Sequence, residues 1–172
     1  MRFFCLLYIT ICLLACKAKK DANAVIAEHE TLFECPENGA CSFEIFENKS
    51  LQIITDEIQG AYPKIENGAH LVLKFEYKKV VNSNYEDSGY REEIFIELDK
   101  NNLEFETEDL QSQKLFFARW CYCRGQTGYY KINQGKLMVT KIDDKNFQLQ
   151  LNFKTEEVPQ IITGITHNFS TQ

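Results

Sequence analysis

From residue 31 to the C-terminus, apolar and polar side chains alternate with a period of two. This is the spacing of strands that lay one face on a core and the other in water, because successive side chains of an extended chain point to opposite faces. In segment 69–81, Leu71, Leu73, Phe75 and Tyr77 take one side, and Lys74, Glu76 and Lys78 take the other. Segment 146–154 repeats the pattern with Phe147, Leu149, Leu151 and Phe153 against Gln148, Gln150 and Asn152. Segment 90–98 places Ile94, Ile96 and Leu98 together. Shorter alternating runs predict strands at 31–35, 41–47, 50–56, 103–106, 114–124, 129–133, 136–142 and 161–165. Turn chemistry separates them: Asn38-Gly39, Asn67-Gly68 inside a loop at 60–68, a polar loop at 82–89, Asp99 to Asn102, Gln134-Gly135 and Asp143-Asp144. Segment 107–113 reads as one helical turn or a crossing loop. The spacing predicts an all-β fold, an antiparallel β-sandwich of about nine or ten strands. Segments 129–133, 136–142 and 146–154 read as a meander.

The first thirty residues do not share this pattern. Arg2 is followed by an apolar run from Phe3 to Ala15, too short to span a bilayer as a helix. It has the layout of a secretory signal. The run ends in Leu13-Leu14-Ala15-Cys16, which resembles the bacterial lipobox. The resemblance covers residues 1–16 and implies cleavage before Cys16 and lipid on that cysteine. Removing fifteen residues from 172 leaves 157, and losing Arg2 takes the net charge from −6 to −7. The organisation expected is a signal at 1–15, a lipidated N-terminus and tether at 16–30, and one domain at 31–172. The tether begins Lys17-Ala18-Lys19-Lys20, suited to anionic headgroups. Lys17, rather than Asp, follows the cysteine, which is similar to lipoproteins sent to the outer membrane. The expected location is therefore the outer membrane, on either face, anchored without a spanning helix. A meandering barrel similar to lipocalins is the alternative architecture, since the size and the export signal fit.

Composition narrows the partners. Thirteen Phe and eight Tyr can fill a core, and 26% charged residues is ordinary for a globular domain. No long basic run follows the tether, so no nucleic-acid partner is expected. The three histidines have no metal-type pairing, and no nucleophile elbow, P-loop or dinucleotide fingerprint occurs. No cofactor is expected, and the reading is of a non-enzymatic domain. Glu92, Glu93, Glu97, Glu104 and Glu106 read as residues of solvated strand faces.

Of seven cysteines, Cys5 and Cys12 belong to the signal and Cys16 to the anchor. Cys35, Cys41, Cys121 and Cys123 remain, and export favours two disulfides among them. Cys121 and Cys123 share a strand face, with Cα atoms roughly 6.5–7 Å apart if fully extended, at or beyond the limit for a direct bridge. Crossed bridges to Cys35 and Cys41 are easier on this ground. A bridge closing the seven residues of Cys35–Cys41 stabilises by about 2.4 kcal/mol, against about 4.5 kcal/mol for one from Cys41 to Cys121. A local Cys35–Cys41 bridge leaves Cys121-Tyr122-Cys123 as a free dithiol or a bent disulfide, which admits thiol-redox or soft-metal chemistry.

The remaining candidate chemistry surrounds the single Trp. On an extended strand Trp120, Tyr122 and Arg124 lie opposite the cysteines, with Tyr129 or Tyr130 alongside. Aromatic platforms beside cations bind sugar rings or protein partners. In the competing arrangement Trp120 is core, with arginines stacked over it. The function expected is glycan or protein binding by a lipid-anchored envelope domain. A redox or metal-handling lipoprotein and a structural subunit of an envelope assembly are the alternatives.

The anchor is testable. Intact mass of the protein extracted from membranes is expected to show a chain starting at an acylated Cys16. Cys16→Ser is expected to move the protein to the soluble fraction. An unacylated mature chain would remove the anchor.

Overall fold

A computed structural model describes residues 33–55, 57, 61–80 and 89–172. The signal, Cys16, the tether, the first part of the strand expected at 31–35 and most of the loop expected at 82–89 lie outside these. Nine strands are present among the described residues: β1 (Gly39–Thr55), β2 (Ala61–Lys79), β3 (Tyr90–Leu98), β4 (Phe105–Thr107), β5 (Leu115–Cys121), β6 (Gly128–Lys131), β7 (Gln134–Lys141), β8 (Asn146–Lys154) and β9 (Gly164–Ser170). They form two antiparallel sheets, β1-β2-β3-β5-β6 and β4-β7-β8-β9. Neither closes into a barrel, so the architecture is the sandwich and not the lipocalin-like alternative.

The inter-sheet core is the set of residues that the alternation singled out. Leu71, Leu73, Phe75 and Tyr77 of β2, Ile94, Ile96 and Leu98 of β3, and Leu115 and Phe117 of β5 face Leu137 and Val139 of β7. Phe147, Leu149, Leu151 and Phe153 of β8 and Ile165 and Phe169 of β9 complete it. The phenyl ring of Phe43 on β1 stacks on His167 of β9 at 3.8 Å, joining the sheets near one edge. Residues 107–113 form no helix; Thr107 Oγ1 accepts from the Asp109 N–H, and Leu110 plugs the core.

The meander is displaced by one strand, comprising β7, β8 and β9 rather than the segments expected at 129–133, 136–142 and 146–154. β6 pairs with β5 in the first sheet, so only β7, β8 and β9 run consecutively in the second. Residues 33–35 are not in a strand, while β9 begins at Gly164 and runs to Ser170, past the segment expected.

The strands expected at 41–47 and 50–56 are one strand with a bulge. Lys49 faces both Asn67 and His70, and Asn48 takes φ 55°, a left-handed conformation that Asn tolerates. Asn67-Gly68 is the other half of the irregularity rather than a hairpin turn. A Cβ at residue 68 would sit 2.1 Å from Ser50 Oγ, so only glycine fits. The loop expected at 60–68 is therefore strand from residue 61 onward. Its Pro63 is tolerated because, among the described residues, this part of β2 pairs with β1 and not with β3.

The faces reverse across this irregularity, where β2 carries two more residues than β1. Phe43 and Ile45 point to the inter-sheet core, whereas Leu51, beyond the bulge, joins Phe46 on the outer face of the first sheet. The far half of the hairpin folds over that face as a third layer. The Leu51 N–H donates to Glu97 Oε2 at 2.6 Å, and Lys114 Nζ donates to the Leu51 carbonyl at 3.4 Å. Beneath it, Leu51 and Ile65 meet Val72, Phe95, Ala118, Phe116, Trp120 and Tyr129.

Burying leucine under this arm holds it down, and truncation should release it. Leu51→Ala is expected to cost about 2–5 kcal/mol of the arm's local stability. Hydrogen exchange should then speed up at 50–55 and 61–66 while β7, β8 and β9 keep their protection. Unchanged exchange in the arm would show that the leucine does not hold it.

Candidate functional site

The site lies where β3 begins and β5 ends, side by side. Strand register places Lys78 opposite Arg91 and Arg91 opposite Trp120, so these three form one row across the outer face. Tyr90 is opposite Cys121 on the neighbouring position. The strand stops at Cys121 and the chain bends at Tyr122, which leaves that ring 82% exposed at the sheet's end. Lys78, Gly89, Tyr90, Arg91, Trp120, Cys121 and Tyr122 line a shallow depression of about 340 Å3.

Trp120 combines the two arrangements the sequence allowed. It is half-buried against the outer apolar cluster, and its indole N–H donates to Glu93 Oε2 at 2.6 Å. A guanidinium does cover its ring, but it is that of Arg91, 5.5 Å from the ring centroid. Tyr129 meets the ring edge-on at 5.2 Å, on the same face. Tyr130 lies on the other face, against Phe117 and the main core. Arg124 sits beyond the strand in the turn, exposed. The structure thus gathers Trp120, Tyr122 and Tyr129, and adds Lys78, Tyr90, Arg91 and Glu93, whose place depends on a strand register that no linear pattern contains.

Of the carboxylates expected on solvated faces, Glu104 and Glu106 are exposed, but Glu92, Glu93 and Glu97 are not. Glu92 is fully buried and Glu93 nearly so. The Glu97 carboxylate is also nearly sealed, held by Lys114 Nζ at 2.8 Å. Glu93 takes Lys74 at 3.3 Å and Arg91 at 3.6 Å in addition to the indole. Burial acts to lower the Lys74 ammonium, but Glu93 and Glu44 outweigh it and the group is raised overall. Glu92 points into the sandwich, where it accepts from the Ile161 N–H at 2.6 Å, the Ile162 N–H at 2.8 Å and the Tyr90 hydroxyl.

Tyr90 passes this network on. Arg119 Nε donates to its hydroxyl at 3.3 Å, and Arg119 Nη1 donates to Gln126 Oε1 at 2.8 Å and to the Gln126 carbonyl at 3.2 Å. The same nitrogen lies 3.3 Å from Cys123 Sγ. A buried carboxylate, a phenol, a guanidinium and a sulfur are therefore joined in sequence.

The disulfides are local, not crossed. Cys35 pairs with Cys41 across the turn of residues 36–39, with Cα atoms 5.8 Å apart. Cys121 pairs with Cys123 at a Cα separation of 5.2 Å. An extended chain would hold these Cα atoms roughly 6.5–7 Å apart; the bend at Tyr122 brings them within reach of a direct bridge. Among the described residues no group of three or more His, Cys, Asp or Glu is placed to hold a metal ion.

Alkaline pH probes the network. Burial pushes Tyr90 up to about 12; the Glu92 hydrogen bond adds to this and Arg119 opposes it. Burial also pushes Tyr129 up to about 12, with Glu93 adding and Arg91 opposing. An unfolded tyrosine ionises near 10, so between about 10 and 12 the folded chain holds protons that the unfolded chain has lost. Stability should be undiminished below pH 10 and fall as pH rises toward 12. Tyrosinate absorbance should show late-titrating groups, and Tyr90→Phe should remove one of them. Uniform ionisation near pH 10 would contradict the buried network.

The chain matches no protein-family model, no curated protein and no solved structure.

Proposed function

We propose that this is an exported, lipid-anchored binding domain of the cell envelope, and that the depression where β3 begins and β5 ends takes a glycan. The observation that carries the reading is the exposed Tyr122 ring beside the Lys78-Arg91-Trp120 row. A large aromatic at 82% exposure next to a concave surface is a platform for the C–H face of a sugar. Lys78 and Arg91 supply N–H donors for hydroxyls or a uronate carboxylate. The platform stands on a rigid base, since Trp120 is fixed by Glu93 and Tyr129 and the third layer closes the face beneath it. Lipid on Cys16 and the lysine-rich tether would hold this surface at a membrane.

Screening the purified protein against an array of neutral and uronate-containing oligosaccharides tests the reading. Wild-type protein is expected to bind a subset, and Tyr122→Ala to weaken that binding about tenfold or more, in line with the loss of one stacking contact plus its desolvated area. Arg91→Gln should weaken the uronate-containing members most. No oligosaccharide binding by the wild-type protein would overturn the reading, and binding unaffected by Tyr122→Ala would move it to another surface.

A further inference from the structure

We propose that the Cys121–Cys123 disulfide undergoes thiol–disulfide exchange, with Cys121 as the sulfur attacked and Cys123 as the leaving thiolate. The two cysteine pairs differ in setting. Cys35 and Cys41 pack against the main core. Cys121 and Cys123 flank the exposed Tyr122 at the end of a strand, and Cys121 lines the depression whereas Cys123 does not. An incoming thiolate in the depression therefore reaches Cys121 first.

The departing sulfur has a cation waiting. Arg119 is 9% exposed, and its Nη1 lies 3.3 Å from Cys123 Sγ. Tyr90 and Gln126 hold the guanidinium in that place. A fixed cation beside a sulfur favours its thiolate, and a more stable thiolate leaves faster. Among the described residues, the hydrogen-bond contacts of the Cys121 sulfur are with the Thr127 hydroxyl at 3.9 Å and the Gln126 carbonyl at 4.0 Å, neither of them a cation.

The step balances with a dithiol as substrate. Its thiolate attacks Cys121 Sγ, the Cys121–Cys123 bond breaks, and the electron pair leaves on Cys123 Sγ. The second substrate thiol, once deprotonated, attacks the sulfur that the substrate contributed to the mixed disulfide and releases Cys121 as a thiolate. The substrate is oxidised by two electrons to a disulfide, and Cys121 and Cys123 are reduced. The reverse direction reduces a substrate disulfide through the same mixed disulfide on Cys121. Arg119 acts through Cys123 and is a positioning residue.

The experiment incubates the oxidised wild-type protein with glutathione, quenches with acid and maps the adducts by peptide mass. Glutathione is expected on Cys121, with the Cys121–Cys123 pair opening at a thiol-to-disulfide ratio at least about tenfold lower than the Cys35–Cys41 pair requires. In the reduced protein, alkylation of Cys123 should reach half-rate below the ordinary thiol value of about 8.5. Arg119→Gln should raise that midpoint, and Arg119→Lys should restore part of it. An adduct on Cys123, or a pair as resistant as Cys35–Cys41, would overturn the proposal. The adduct map decides the matter even if the Arg119 variants do not fold. The readout is confined to the cysteines, so a failure to bind oligosaccharides leaves it standing.

Discussion

A carboxylate sealed inside a sandwich is costly unless hydrogen bonds replace its water. Glu92 meets that condition by taking two consecutive backbone N–H groups, from Ile161 and Ile162, and the Tyr90 hydroxyl. The two N–H groups lie in the segment between β8 and β9 of the second sheet, while Glu92 is on β3 at the centre of the first. One side chain therefore ties the layers together at the end where the depression forms. The tie also orients Tyr90, Tyr90 orients Arg119, and Arg119 reaches Cys123. The surface chemistry at this end is set by a residue that surface chemistry never touches.

The outer face obeys a second constraint. A two-layer sandwich leaves one face of each sheet wet, yet Val72, Phe95 and Ala118 are buried on the outer side of the first sheet. The irregularity at Asn48 and Asn67-Gly68 resolves this, because the apolar side of the hairpin reverses across it and the far half folds back as a cover. That cover is fixed by polar contacts at its margin, Leu51 to Glu97 and Lys114 to Leu51, and by apolar contact beneath. Trp120 and Tyr129 lie within the apolar cluster under the cover, which is why the tryptophan serves the core and borders the site at once.

How much of this was legible depends on whether the information is local. The apolar faces of β2, β3 and β8 follow from period two alone, and β3 and β8 lie where the alternation places them, whereas β2 starts eight residues earlier, at Ala61. The bulge was not legible: Asn67-Gly68 is an ordinary turn signal, and only pairing with Ser50 turns it into an irregularity within a strand. Glu92 and Glu93 were misjudged for a related reason. Adjacent carboxylates on an edge-facing strand point one to each side and one is solvated, but β3 is central and covered on both faces. The Lys78-Arg91-Trp120 row belongs to three strands separated in the chain and exists only in the register. Trp120 and Tyr122 were found because rarity and aromatic chemistry are visible in one dimension; their partners were not.

Local disulfides change what the cysteines are for. A bridge that spanned the two ends of the chain would remove much entropy from the unfolded state and make the fold depend on it; bridges across seven and three residues remove far less. The cohesion here comes instead from a core in which Leu71, Leu73, Ile94, Ile96, Leu115, Phe117, Leu149 and Leu151 are sealed from water, from the Glu92 tie, and from the folded-back arm. Opening the bond between Cys121 and Cys123 breaks none of these, since the strand carrying that pair ends at Cys121 and the turn beyond it remains tied to Arg119 through Gln126. A disulfide that a fold does not require is one that can change oxidation state while the fold persists.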